Sequence, residues 1–197
     1  MMATRSVGRP RDPRVDGAIL QATRQLLRER NYAGLRVTEV AARAGVTPPT
    51  VRLRWRTKAE LVHDALFRRM DDQPLSDTGT LAGDVRALVR RAIALYQTPE
   101  VQAAALGFSE DLRSQPALRR RLGTRVYRPA VADLRAVIDR AVARGELAAD
   151  DAPDAATLLH TIVGAVVARL LLFGGDPGSL ERELVALLVH GLDGRRR

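Results

Sequence analysis

Apolar residues recur at helical spacing along most of the chain. The first apolar face predicts a helix that begins after Asp12, an N-cap residue, has Pro13 in its first turn, and ends near Arg30. The same periodicity predicts further helices at residues 37–44, 48–54, 57–70, 81–96, 99–113, 116–144, 154–173 and 176–190. Pro129 lies inside the longest of them and should bend or interrupt it. We therefore expect an all-α protein of about nine helices.

A polar, turn-rich stretch at residues 71–80 divides the chain into two predicted domains, 1–70 and 71–197. The charge divides at the same place. Residues 1–70 contain 15 Lys and Arg against 6 Asp and Glu, whereas the remaining residues contain 17 of each sign, so the first part carries the whole net charge of +9. Such a distribution favours a polyanion such as nucleic acid as a partner of the first part, although a solvated basic face would have the same composition.

Composition excludes several other classes of protein. The chain has no cysteine, so it has neither disulfides nor thiolate metal sites, and a reducing compartment suits it. The N-terminus lacks the apolar centre of a signal peptide, and the longest uncharged apolar run, residues 155–168, is shorter than the roughly 20 residues that span a bilayer. We expect a soluble, cytoplasmic protein with no membrane partner. The three histidines are far apart, and there is no Gly-rich phosphate loop or metal-ligand cluster, so we predict no enzyme activity, cofactor or metal.

Residues 37–54 have the features of a helix-turn-helix. The first short helix ends at Gly45, which tolerates positive φ, and the second follows an N-cap at Thr47. A small apolar interior is available from Val40, Ala41, Ala44, Val46 and Val51. The residues predicted to point outward are of types that contact base edges, thymine methyls or phosphates, namely Thr47, Pro48, Thr50, Arg52, Leu53 and Arg54. An ordinary helical hairpin with solvated arginines has the same spacing and remains the alternative.

The stretch from Leu35 to Leu61 resembles the N-terminal domain of the TetR family of one-component transcriptional regulators. In that family an AxxAGVS-like turn precedes a recognition helix, an aromatic residue and a Ser/Thr-Lys-x-x-Leu sequence. Here residues 41–47, Trp55 and residues 57–61 occupy those places. The resemblance extends from residue 18 to about residue 70, and residues 126–129 and 141–147 are more weakly similar to one class of the family's effector domains. It implies a helix-turn-helix domain followed by a helical effector-binding and dimerisation domain.

Three positions bear on the predicted DNA contact. Lys58 is the only lysine beside 31 arginines and stands where a family lysine contacts DNA phosphate. Arg36 occupies a helix-cap position at which the family usually has Thr, and Arg52 a position at which it usually has Tyr. A cation at a helix N-terminus opposes the helix dipole by up to about 1 kcal/mol unless a phosphate lies nearby, so we infer that both arginines face DNA. Whether Arg52 reads a base or holds a phosphate stays open.

The basic N-terminal arm, residues 4–11, belongs to the same predicted DNA-binding surface. Its Gly-Arg-Pro sequence can lay arginine in a narrow minor groove, or it can form a basic tail that adds only non-specific attraction. The complete predicted DNA-binding set is Arg5, Arg9, Arg36, Thr47, Pro48, Thr50, Arg52, Leu53, Arg54, Trp55 and Lys58.

The neutral second part has wide apolar faces on its last two predicted helices. The resemblance implies that these helices form the four-helix interface of a homodimer, and a two-fold dimer also matches a palindromic operator. The resemblance further implies an effector pocket among the middle helices. Its predicted lining is Phe108, Leu112, Tyr127, Leu159, His160 and Val163, each of which core packing alone would also explain. Scarcity of charge in the helix at 154–173 favours a hydrophobic effector.

These features predict a ligand-responsive transcriptional regulator, with repression as the family default. The effector would favour a dimer geometry whose recognition helices no longer match successive major grooves. The alternative is a sequence-nonspecific structural DNA-binding protein, which a basic segment and a dimer would also suit. A regulator should prefer its operator by roughly 10³-fold or more at physiological salt, and this preference separates the two hypotheses.

Overall fold

The computed structural model describes the backbone of residues 12–71, 75 and 77–193, and the side chains of residues 12–67, 75 and 77–191. These residues are mostly helical and include no strand, which confirms the all-α prediction. The α-helices are α1 (Pro13–Gly34), α2 (Val37–Arg43), α3 (Pro48–Arg52), α4 (Lys58–Asp71), α5 (Leu81–Tyr96), α6 (Pro99–Ser114), α7 (Pro116–Leu122), α8 (Arg128–Ala143), α9 (Ala155–Val167) and α10 (Pro177–Asp193).

The ends of the N-terminal helices follow from local chemistry. Asp12 caps α1 by accepting a hydrogen bond from the Arg14 backbone N–H at 2.9 Å. Near the other end of α1, Asn31 leaves the helical conformation with φ 55° and ψ −175°, one residue after the predicted end. The hydroxyl of Thr57 accepts a hydrogen bond from the Glu60 backbone N–H at 3.1 Å, as expected of the cap of α4.

Buried apolar side chains form two core clusters among the described residues. The first combines α1 to α4 with α6 and α7 and includes Leu27, Leu61 and Leu118. The second combines α5, α8, α9 and α10 and includes Ile138 and Ile162. Helices α6 and α7 therefore pack on the N-terminal helices, although they follow the predicted domain boundary in sequence. They pack on α1 and α4, and α6 also contacts α5 of the other half.

Helices α7 and α8 are joined by a π-helical turn, Gly123–Tyr127. The cause is Pro129, which has no backbone N–H to give to the carbonyl of Arg125 and whose ring crowds that carbonyl. The backbone N–H of Arg128 instead bonds five residues back, to the carbonyl of Gly123. The predicted interruption of the segment 116–144 by Pro129 is confirmed. Such wide turns are frequent at functional sites, and this one carries Arg125 and Tyr127.

Helix α9 continues through a second π-helical turn, Ala168–Leu172. By length and composition Ala155–Leu172 is, among the described helices, the one apolar enough to cross a membrane. In the fold it packs against α5, α8 and α10, and its buried face belongs to the second core cluster. Its far end and the outer face of α10 leave Leu172, Phe173 and Leu187 exposed.

Candidate DNA-binding surface and effector cavity

Helices α2 and α3 form the predicted helix-turn-helix, and α1 and α4 support it. The side chains of Val40, Ala41 and Val51 are buried, and Ala44 and Val46 pack against the same core cluster. Gly45 has a φ of 67°, in the left-handed region that favours glycine. The predicted apolar interior of the motif is therefore confirmed.

The outer side of this motif presents most of the predicted DNA-contacting residues. Leu53 is 80% exposed, and Arg52 and Thr47 are also exposed. Arg36 is exposed at the N-cap position of α2 and makes no side-chain hydrogen bond to that helix end. Two further predicted residues, Pro48 and Thr50, are half-buried, and the Thr50 hydroxyl lies 3.0 Å from that of Thr47.

Arg54 is placed differently from the prediction, which had it pointing outward. Its Nε donates to the carboxylate of Asp16 on α1, and its Nη1 donates to the carbonyl of Thr50 at 3.0 Å. Only 14% of its side chain is exposed. The turn that follows the short α3 brings Arg54 back towards α1, where the acid is its partner. Arg54 therefore attaches the end of α3 to α1.

Trp55 is also turned inward, so the prediction that its side chain contacts DNA is corrected. The side chain is 6% exposed, and its indole Nε1 donates to Oδ2 of Asp64 at 2.9 Å. A buried indole N–H needs an acceptor, and Asp64 on α4 supplies it. Trp55 thus anchors the segment between α3 and α4 to the core.

Lys58 begins α4 at the edge of the predicted surface. Its Nζ donates to the Tyr32 carbonyl at 3.0 Å and lies 4.2 Å from the centroid of the Tyr32 ring. The Tyr32 hydroxyl in turn donates to Asp111 on α6. The ammonium is therefore held in place by α1, and a phosphate contact would share it with Tyr32. The predicted arm residues Arg5 and Arg9 lie outside the described residues.

Two acidic residues on α4, Glu60 and Asp64, link it to the α7 rod, by which we mean α7 and the π-helical turn that continues it, residues 116–127. Arg121 on α7 donates to Glu60, and Nη2 of Arg125 donates to Oδ2 of Asp64 at 2.8 Å. Both acids are buried, whereas the two guanidinium groups are partly exposed. These two contacts were not predicted from the sequence. The available signal was a pair of carboxylates, four residues apart, in the stretch 59–67, whose other residues are apolar except for His63.

The ionised form of Asp64 is favoured in this position. Burial raises the pKa of its carboxyl, but hydrogen bonds from His63 and Trp55 and the charge of Arg125 lower that pKa below its ordinary value. The His63 ring nitrogen Nδ1 lies 3.3 Å from Oδ1, so both carboxylate oxygens have partners. Asp64 is thus a charged centre inside the core, with Arg125 on its cavity side.

A cavity of about 740 Å³ lies below α4, between α5, α6, the α7 rod, α8 and α9. All six residues predicted to line an effector pocket line this cavity: Phe108, Leu112, Tyr127, Leu159, His160 and Val163. Its volume is in the range that accommodates drug-sized ligands. His63 and Phe67 of α4 form part of its lining, so the wall of the cavity includes the helix that carries Lys58 at its other end.

The polar groups of the cavity lie among a largely apolar lining. The Tyr127 hydroxyl lies 3.0 Å from Nε2 of His160, and the two rings are stacked. Arg91, Arg119 and Arg125 also line the cavity. Over the part of the chain that the structure describes, no group of three or more His, Asp or Glu side chains is arranged to hold a metal ion.

Comparison with known proteins gives the same assignment for both halves of the chain. Residues 19–65 match the family model for bacterial regulatory proteins of the tetR family, and residues 75–192 match the model for a tetracyclin repressor-like C-terminal domain.

Individual relatives are similar over most of their length. The DNA-binding transcriptional repressor TetR of Mycobacteroides abscessus is 32% identical and aligns over 80% of this chain and 82% of its own. The HTH-type transcriptional regulator YdeS of Bacillus subtilis is 27% identical over 94% of this chain and 93% of its own. The crystal structure of a TetR-family regulator from Rhodococcus sp. has the same fold, with a TM-score of 0.70 at 21% identity, over 92% of this chain and all of that one. The chain belongs to the TetR family of DNA-binding transcriptional regulators.

Proposed function

We propose that this protein is a homodimeric repressor that binds a palindromic operator and is released by a small, largely apolar effector. We take α3 as the recognition helix. The observation that supports DNA binding is the difference in exposure between neighbouring residues at its end. Val51 is buried, while Arg52 and Leu53 project into solvent. A leucine that is 80% exposed has a physical reason when its partner is a thymine methyl in the major groove.

The proposed DNA contacts are the members of the predicted set that lie on the outer side of the motif or at the start of α4, and the half-buried Pro48 and Thr50 belong to them. Arg36, Thr47 and Arg52 supply polar groups for base edges and phosphates, and Leu53 supplies apolar contact. Lys58 adds a phosphate contact from the start of α4. Arg54 and Trp55 hold α3 and the segment after it in position through Asp16 and Asp64, and in this proposal they make no direct contact with DNA.

Dimerisation through the last two helices is supported by exposed apolar residues in the π-helical turn that continues α9, directly after that turn, and on α10. Leu172, Phe173 and Leu187 are 56%, 80% and 67% exposed, respectively. A second copy related by a two-fold axis would cover both sets at once, since such an interface uses the same patch on each subunit. One face of α9 then packs in the core and the other in the dimer interface. Both apolar faces are covered in this arrangement, which suits a cytoplasmic protein.

The effector is proposed to occupy the cavity below α4. Binding there would act on the DNA-binding half through α6 and α7, which pack on α1 and α4.

Footprinting on the DNA upstream of the protein's own gene tests the proposal. We expect a protected palindrome that binds at least about 10³-fold more tightly than a scrambled sequence of equal length at physiological salt. Equal affinity for both sequences would favour a structural DNA-coating protein instead.

Arg52→Ala examines the recognition helix directly. If Arg52 reads a base, the variant loses its preference at one base pair of each half-site. If it holds a phosphate, affinity falls for all sequences and the salt dependence becomes shallower. Arg135→Ala on α8 is the matched control, because Arg135 is exposed and pairs with Asp139, away from this surface. It should leave the footprint unchanged.

A further inference from the structure

Arginine side chains are concentrated at one cavity that is otherwise largely apolar. Among the described residues its lining includes three of them, Arg91, Arg119 and Arg125, and one carboxylate, Asp133. A concave site with low-dielectric walls and an excess of cations attracts anions, and guanidinium groups bind carboxylates and phosphates in a two-pronged geometry. The charges of this lining therefore favour an anionic ligand.

Arg119 and Arg125 belong to the same continuous rod, one on α7 and one in the π-helical turn that follows it. The intervening residues Leu122 and Gly123 line the cavity as well. The rod therefore presents an apolar surface flanked by two cations. This arrangement suits a molecule that has an apolar body and a charged end.

The position of Arg125 allows an exchange of partners. Its side chain is 58% exposed, whereas that of Asp64, to which it donates, is 6% exposed. Asp64 keeps its hydrogen bond from Trp55 and its contact with His63 when Arg125 turns away. The buried acid is therefore not left without partners, and this lowers the cost of breaking the Arg125 contact.

We propose that the effector is an amphiphilic anion, whose apolar body fills the cavity and whose carboxylate, sulfonate or phosphate binds Arg119 and Arg125. This inference rests on the proposed function, because it names the ligand class of the same cavity. The anion replaces Asp64 as the partner of Arg125. Ligand binding thereby breaks one of the two ion pairs that the described side chains form between the α7 rod and α4, and Arg121–Glu60 remains.

Two dyes with the same ring system test the charge requirement. 1-Anilinonaphthalene-8-sulfonate carries a sulfonate, and N-phenyl-1-naphthylamine lacks it. Fluorescence titrations of the full chain should give a dissociation constant at least about tenfold lower for the anionic dye, the size expected for one hydrogen-bonded charge pair. Val163→Trp, which fills the cavity, should weaken the binding of both dyes, and this outcome assigns the signal to the cavity.

Charge-removing variants then locate the anion. The double variant Arg119→Gln/Arg125→Gln should lose the preference for the anionic dye and keep its affinity for the neutral dye within about twofold. Arg119→Gln alone, at a residue without an ion pair among the described side chains, should lose part of the preference and keep the Asp64 contact intact. Arg135→Gln is the control at an exposed arginine outside the cavity, and it should behave as the unmodified protein does.

The single tryptophan gives a second readout of the partner exchange. Trp55 is bonded to the same Asp64 oxygen as Arg125, so its emission reports on that carboxylate. Decanoate should change the Trp55 emission, whereas 1-decanol, with the same chain and no charge, should change it less. In Arg125→Gln the two compounds should change the Trp55 emission equally, because no guanidinium is left to move from Asp64 to the anion.

Each outcome bears on the inference. Equal affinity for both dyes, or a preference that survives the double variant, overturns it and leaves a neutral apolar effector possible. Failure of both dyes to bind also overturns it, since an amphiphile of this size should then not be the ligand. In either case a sequence-specific operator complex, measured separately by footprinting, keeps the repressor assignment.

Discussion

The inward position of Trp55 leads to a prediction that separates structural support from DNA contact. Trp55→Phe retains an aromatic ring but removes the hydrogen bond from Nε1 to Asp64. A hydrogen bond to a charged group contributes about 1.5–3 kcal/mol to stability. Because Oδ2 of Asp64 also accepts from Arg125, the loss should lie near the lower end of that range. Adding the packing lost with the fused ring, we expect a destabilisation of about 2 kcal/mol.

For a chain of 197 residues, that loss should lower the Tm by about 4–8 °C. Thermal unfolding is followed at one fixed protein concentration, because the stability of a dimer depends on concentration. At a temperature where the variant is fully folded, its operator affinity should stay within about threefold of the unmodified protein, since the side chain is 6% exposed.

Leu53→Ala should have the opposite effect: it should lower operator affinity and leave the stability nearly unchanged. Leu53 is 80% exposed and lies two residues away, so its truncation should change stability by less than about 0.5 kcal/mol. Its operator affinity should fall roughly tenfold through the loss of an apolar base contact. The reasoning is refuted if Trp55→Phe keeps its Tm and loses operator affinity, because Trp55 would then contact DNA directly.

Other substitutions address the interface, the acid response and the packing between halves. Leu187→Glu puts a carboxylate on the exposed face of α10, so sedimentation velocity should show a shift from dimer to monomer and operator affinity should fall at least about tenfold. Burial raises the pKa of Asp84, but hydrogen bonds and a neighbouring guanidinium lower it below its ordinary value of 3.8. The stabilisation is therefore present above about pH 4 and is lost as the pH falls through the lower folded value, so urea midpoints should drop more steeply there than in Asp84→Asn. Gly107→Ala would place a Cβ atom 2.6 Å from the ring of Tyr32 and should cost about 1–3 kcal/mol by calorimetry. Gly17→Ala, where the new Cβ atom has no neighbour within 4 Å, should stabilise the protein by about 0.5–1 kcal/mol.

Helix boundaries were predictable from the sequence because their causes are local. Asp12 and Thr57 cap the helices that follow them, and Gly45 takes the positive φ that ends the first helix of the motif. The effect of Pro129 is equally local, since a missing N–H acts within its own turn. The apolar cavity lining was also within reach, because aromatic and aliphatic residues on several predicted helices needed a common interior.

The orientations of Arg54 and Trp55 were not predictable in the same way. Both follow a helix of only five residues, after which helical periodicity no longer fixes which side a residue faces. Their partners are acids on other helices: Asp16, 38 positions before Arg54, and Asp64 on α4. A basic or aromatic residue beside a recognition helix is equally compatible with DNA and with a buried acid, and only the tertiary structure distinguishes them.

Helix α4 brings these separate findings together. Its 14 residues span about 21 Å, with Lys58 at the start and His63 one turn further along, in the cavity wall. Glu60 and Asp64 attach the same helix to the α7 rod. Because a packed helix moves largely as a rigid body, we expect a ligand that shifts the rod or releases Arg125 to move the end of α4 that carries Lys58, the proposed phosphate contact. Helix α4 therefore reaches from the cavity wall to the proposed DNA-binding surface, beside the path through α6 and α7.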